Sequence, residues 1–284
     1  INHSRTKMKI NDYPSCCSVL LNTRKFEVDN PINFKILEGV RMNIMKTTAY
    51  LLVMAFGLNQ LTAGSLTGTV NFDGKAPKKK TLKMDADPKC GSSHSGPVYN
   101  QSFILDENNN LANVLVYLNN VKYTGKPPTE SAIIDQKGCL YYPHVMGMMK
   151  GQDILIKNSD PTLHNIHGMP KENREFNFAM PSVVKEKKLT LEKSEDVFKI
   201  KCDVHPWMNA YVQVFDHPYF AVTATNGTFK IDNIPPGDYE VIAWQEKFKN
   251  KKTKEWKILS ATVTVGDGAT TQNFTFKKPA KKKK

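Results

Sequence analysis

The chain has 284 residues, of which 40% are hydrophobic, with 40 Lys+Arg against 27 Asp+Glu and a formal net charge of +13. The length left after a leader segment suits one or two ordinary domains. Much of the positive excess sits in Lys78-Lys79-Lys80, in 247–257 and in 277–284, which read either as solvated faces and a frayed tail or as steering toward an acidic protein surface or an anionic membrane.

In chain order, the first legible segment is Met45–Gly64. Lys46 precedes an apolar run from Ala49 to Leu58, and the small residues Thr62, Ala63 and Gly64 follow. This reads as a secretory signal peptide whose apolar run is too short to span a bilayer. A signal peptide has to lead, so residues 1–44 read as a non-native upstream extension, with Met42 or Met45 as the start. The alternative is a genuine extension followed by a membrane-anchoring segment. The mature chain would begin near Ser65, be periplasmic or secreted, and have no nucleic acid as a partner.

From Ser65 onward nearly every segment reads as strand or turn, so the fold class is all-β. Leu66–Phe72 is β-rich and ends in the turn signal Asp73-Gly74. Val114–Leu118 is a continuous apolar run, as in a strand buried on both faces. Ile154, Ile156 and Asn158 alternate with Asp153, Leu155 and Lys157. In 197–202, Phe198, Ile200 and Cys202 share one face and Lys199 and Lys201 the other, which turns Cys202 inward. Only 186–195 has helical character, and its Lys/Glu density fits an exposed hairpin equally well. Residues 65–216 form the first expected unit. Near His217-Pro218 a second begins, 217–277, with strands around 227–231, 239–244, 263–265 and 274–276, the turn Pro235-Pro236-Gly237, and 247–257 as an exposed loop. A basic tail, 278–284, follows.

The chemistry is concentrated in Cys202-Asp203-Val204-His205-Pro206-Trp207-Met208, with a further imidazole at His164, in Leu163-His164-Asn165-Ile166-His167. A thiolate, two imidazoles and a weak thioether are the ligand set of a mononuclear blue-copper electron-transfer site. Each residue also has an ordinary reading: Cys202 as a buried thiol, Met208 as a core thioether. Zinc is the competing metal for a Cys/His/His set. Pro206 stiffens the loop, Trp207 is placed to exclude water, and Asn165 can hydrogen-bond across to the cysteine loop. With Cys202 a ligand, Cys90 and Cys139 are left to pair as a disulfide in an oxidising compartment; the alternative is a second site, since His94 and His144 lie close to them in sequence. His144 is an extra candidate ligand. His167, three residues from His164, falls on the opposite strand face, and His94 and His217 read as surface residues.

The pair His164-Asn165-Ile166-His167 and Cys202–Met208 resembles the cupredoxins, the amicyanins most of all, over roughly 141–215. The resemblance implies a Greek-key β-sandwich with one type 1 copper, His164, Cys202 and His205 equatorial and Met208 axial. It also implies a carrier passing single electrons to a redox protein such as a cytochrome or a dehydrogenase, and not an enzyme. His205 would be the solvent-facing ligand, ringed by Pro206, Trp207 and Met169 or Met180. Asn226–Trp244 resembles the transthyretin-like sandwich of carboxypeptidase-regulatory-like domains. Two other functions remain open. A small molecule binding at the copper would make a copper enzyme or sensor, and the methionines 146, 148, 149, 169 and 180 would suit a copper store or envelope-binding protein.

Overall fold

The computed structural model describes residues 63–250 and 252–277. The upstream extension, all but the last two residues of the signal segment and the basic tail lie outside the described residues. Among those described, no helix is long and apolar enough to cross a membrane.

The protein is all-β, with four sheets arranged around two apolar cores. The first sandwich is built from β3 (Ala132–Lys137), β4 (Leu140–Tyr142), β5 (Val145–Met149), β6 (Asp153–Asn158), β7 (His164–Gly168), β8 (Phe176–Met180), β9 (Glu186–Thr190), β10 (Glu195–Lys201) and β11 (Asn209–Phe215). One of its sheets runs β5-β11-β10-β7-β8 and the other β4-β3-β6-β9. Ile134, Ile154 and Ile156 of one sheet share a core with Ile166, Ile200 and Val212 of the other. The alternation read from the sequence is what buries them. On β10 Phe198 and Ile200 point inward while Lys199 is exposed, and on β6 Ile154, Ile156 and Asn158 are buried.

The second sandwich recruits strands from both ends of the described chain. Its members are β1 (Gly64–Asp73), β2 (Leu115–Leu118), β12 (Phe220–Val222), β13 (Thr228–Ile234), β14 (Gly237–Trp244), β15 (Leu259–Val265), β16 (Ala269–Thr271) and β17 (Phe274–Lys277). β1 is hydrogen-bonded to β13, β16 and β17, and β2 lies between β12 and β14. The boundary drawn at 216/217 therefore does not separate the sheets. Two strands within 65–216 complete the sandwich expected at 217–277, because each buries apolar side chains there: Leu66, Val70 and Phe72 from β1, Val116 and Leu118 from β2. At roughly 2 kcal/mol for each large apolar side chain, β1 alone contributes on the order of 6 kcal/mol. A third cluster, Leu115, Val145, Phe215 and Trp244, joins the two sandwiches.

Residues 186–195 adopt the strand alternative. β9 is an edge strand paired with β6, and its lysines face solvent. The one helix among the described residues, α1 (Pro88–Ser92), is a single turn that the sequence reading did not anticipate. Its signal is the dipeptide Asp87-Pro88, a carboxylate at the N-cap followed by proline at the first helical position.

Candidate metal centre

The alternation of β10 carries Cys202 to the inner face, where it is buried. Past Cys202 the chain closes on itself: the Met208 amide donates to the His205 carbonyl (2.9 Å) and the Cys202 amide to the Met208 carbonyl (3.2 Å). This tight loop sets Cys202, His205 and Met208 side by side, all buried. Across the sheet, β7 supplies His164, wholly buried and opposite Met180 of β8. His164 Nδ1 lies 3.0 Å from His205 Nδ1, and Cys202 Sγ lies 3.7 Å from His205 Nδ1. The three ligand atoms are all within 4.8 Å of one another.

The groups around them fix how they can act. Asp160 Oδ2 accepts from His164 Nε2 (2.7 Å), and Asp87 Oδ2 accepts from His205 Nε2 (3.0 Å). A carboxylate can only accept, so both Nε2 atoms carry hydrogen and both Nδ1 atoms are turned toward the thiol. Cys202 Sγ accepts two backbone N–H groups, from Asn165 (3.4 Å) and His205 (3.3 Å). Burial pushes the thiol up, but the His164 contact and these amides outweigh it, leaving the Cys202 thiol below its usual range and disposed to ionise. Burial likewise disfavours a charged His164, yet Asp160 and Cys202 hold its proton, and its pKa rises to about 9. His205 goes the other way: burial lowers it and the Asp87 hydrogen bond only partly compensates.

The sequence-derived residues fall into place unequally. Asn165 joins the two halves of the site, its side-chain carbonyl accepting from the Asp203 amide (2.8 Å). The Trp207 ring packs on His205 with centroids 5.0 Å apart, and its Nε1 donates to the Cys139 carbonyl (3.1 Å). Pro206 is exposed on the loop. Cys90 and Cys139 form a disulfide, so they do not build the alternative site with His94 and His144. His144 is not among the residues whose ligand atoms converge. Its Nδ1 meets the Asn209 carbonyl (3.0 Å) and its Nε2 meets Glu246 of the second sandwich (2.7 Å). His167 sits on the other face of β7, between Glu175 and Asp203. His217, expected at the surface, is buried, its Nδ1 accepting from the Tyr219 amide (3.2 Å).

Three expectations need correcting. His205 is not solvent-facing: it is 2% exposed, because the segment carrying Asp87 and Cys90 lies over its outer edge. Met180 does not ring a surface port but is buried in the first core beside Gln136. The methionines at 146, 148 and 149 are packing residues, buried on both faces of β5. The two carboxylates were missed. Asp160 was detectable as the residue four before His164, but nothing local to Asp87 announces its approach to His205, 118 positions away.

A family model described as polysaccharide lyase family 4, domain II, matches residues 194–273. It spans β10 and most of the second sandwich, and stands where a carboxypeptidase-regulatory-like domain was expected. No curated protein matches the chain. Among solved structures, a copper-containing nitrite reductase (NirK) from Thermus scotoductus SA-01 is similar at 17% identity and a TM-score of 0.29, over 34% of this chain and 25% of that one. The chain thus spans a quarter of that enzyme's length. A purple cupredoxin from Nitrosopumilus maritimus is similar at 22% identity and a TM-score of 0.26, over 30% of this chain and all of that one. An oxidised amicyanin variant is similar at 18% identity and a TM-score of 0.27, over 30% and 82% respectively. The architecture of the described residues is all-β.

Proposed function

We propose that the chain is a copper protein of the cell envelope that carries single electrons, with His164, Cys202 and His205 holding one copper ion and Met208 as the weak fourth ligand. The observation that carries this reading is the convergence of one ionisable thiol and two correctly turned Nδ1 atoms in a buried pocket, with a thioether from the same loop. The donor set fits the metal: soft sulfur suits Cu(I), imidazole suits Cu(II), and a site fixed by sheet and loop need not reorganise between them. Copper, when bound, would supply a one-electron couple.

The residues around it do the rest. Asp160 and Asp87 orient the two imidazoles, the Asn165 and His205 amides hold the sulfur, and Trp207 with the buried Met208 excludes water. An enzymatic role would gain from an extra ligand at His144, but that imidazole is engaged by Glu246 and so offers no support. The partner proposed is a redox protein, a cytochrome or a dehydrogenase, met through the lysine-rich segments; these would equally hold the protein to an anionic membrane. The test is the visible spectrum of the chain from Ser65 onward with one Cu(II) added, beside a Cys202→Ala control. An intense thiolate-to-copper band lost in the control supports the reading. A colourless protein, or colour indifferent to the substitution, overturns it and brings zinc forward.

A further inference from the structure

Between β1 and β2 the chain leaves the second sandwich, crosses to the first, and returns. The excursion has a stem, an anchor and a head. In the stem, the Leu82 amide donates to the Val98 carbonyl (2.8 Å) and the Asn100 amide to the Lys80 carbonyl (2.9 Å). The anchor is Met84 and Cys90, buried in the first core, with Cys90 bonded to Cys139. The head is Asp87. Its Oδ1 accepts the amides of Lys89 (2.8 Å) and Cys90 (3.4 Å), and its Oδ2 accepts from Thr162 Oγ1 (3.2 Å) and His205 Nε2 (3.0 Å).

The disulfide serves both sides of the site. Cys90 Sγ lies 3.6 Å from His205 Nε2, three residues after Asp87. On the other side, the Cys139 and Gly138 amides donate to Asp160 at 2.7 and 2.6 Å, and Asp160 holds His164. The Cys139 carbonyl also receives Trp207 Nε1. A single covalent bond therefore ties together the two carboxylates that orient the two imidazoles, and the indole that covers one of them.

We infer that residues 80–100 form a covalently fastened cap over the proposed copper centre, in which Asp87 is the positioning residue for His205 and biases the metal toward its oxidised state. The inference rests on the copper reading. Its physical basis is charge. A carboxylate on the remote nitrogen strengthens the imidazole as a donor and adds a negative charge close to the metal, and Cu(II), with one more positive charge than Cu(I), gains more from both. Asparagine at this position keeps the shape and an acceptor oxygen but removes the charge.

The experiment is spectroelectrochemical titration of the copper-loaded chain and its D87N and C90A/C139A variants, with imidazole NMR of the metal-free wild type and D87A. In D87N the ratio of Cu(I) to Cu(II) affinity should rise about tenfold, an upward potential shift of about 59 mV for one electron. C90A/C139A should move the potential in the same direction, because Asp87 loses its fastening. In the metal-free wild type the His205 Nε2–H should appear as a slowly exchanging signal that is absent in D87A. An unchanged potential in D87N overturns the tuning by Asp87. A wild-type potential in C90A/C139A overturns the fastening, and where that variant does not fold, D87N decides. Failure of the copper reading shows separately, as a wild type with no thiolate band. That result also removes the tuning, while the imidazole signal still decides whether the cap exists.

Discussion

Removing the Cys90–Cys139 disulfide from the metal-free chain tests how far the cap contributes to the stability of the fold. The substitution is C90A/C139A, chosen because both sulfurs are buried and alanine puts no polar group in their place. The two cysteines are 49 positions apart, so the bond closes a loop of about fifty residues. Chain-entropy arguments give on the order of 4 kcal/mol for a loop of that length, from the freedom restored to the unfolded chain. For a fold of this size, each kcal/mol corresponds to roughly 2–4 °C in melting temperature, so a fall of about 8–16 °C is expected. The closed loop contains β2, a strand of the second sandwich, so the loss should extend to both sandwiches as one transition. Circular dichroism melts and urea unfolding of both chains measure it, with the urea midpoint falling as the melting temperature does. A fall of less than about 2 °C in a variant that still unfolds in one step would refute the reasoning, since the loop would then be ordered without its bond.

Cu(II) affinity should rise with pH up to about 9, because His164 must give up a proton that Asp160 and Cys202 hold to that value in the metal-free chain. Each displaced proton adds about a tenfold rise per pH unit, so the rise below 9 should be at least tenfold per unit, read by competition with a chelator, and a flat profile would contradict the assignment. Glu246→Ala should cost about 2 kcal/mol in urea unfolding, because it leaves buried His144 Nε2 without its 2.7 Å partner; a loss under 0.5 kcal/mol would show that water replaces the carboxylate. Gly227→Ala should cost about 2 kcal/mol, since the backbone there has φ +73° and a new Cβ would lie 2.6 Å from Asn110 Cβ and 2.9 Å from the Val70 carbonyl. A variant that melts with the wild type would show that β1 and the 226–228 turn can shift apart.

Local pattern carried much of the fold and the inner half of the site. Period-two alternation turned Phe198, Ile200 and Cys202 inward, and the three-residue spacings from Cys202 to His205 to Met208 bound those side chains to one loop. What pattern cannot carry is pairing. Leu66–Phe72 reads as a strand wherever it sits, and nothing within it says that its partners lie at 228–234 and 269–277. The same holds for Asp87. Its N-cap role is local and legible, whereas its contact with His205 depends on Cys90 finding Cys139 and Met84 entering the first core. His144 misled for the complementary reason. Its closeness in sequence to the first sandwich suggested the metal, but its partner belongs to the second sandwich and lies 102 residues away.

The arrangement of strands and site together constrains how an electron would enter. A histidine edge at the surface gives a partner a short path to the metal. Here the outer edge of His205 is closed by Asp87 and backed by the disulfide, while Val204 and Leu163 beside it stay exposed. The excursion that closes it starts and ends in the second sandwich, so the covering of the proposed metal site depends on that sandwich being folded. That gives β1 and β2 a role beyond filling a core: they are the two fixed points between which the cap is strung. On the copper reading proposed above, the second sandwich would be part of the redox unit, and a chain cut back to residues 130–216 would keep the proposed ligands yet lose Asp87, Cys90 and the seal on His205. Such a fragment would present an open imidazole edge and a site accessible to water, and under the proposed copper reading its potential would be set by solvent where the carboxylate of the full chain would set it.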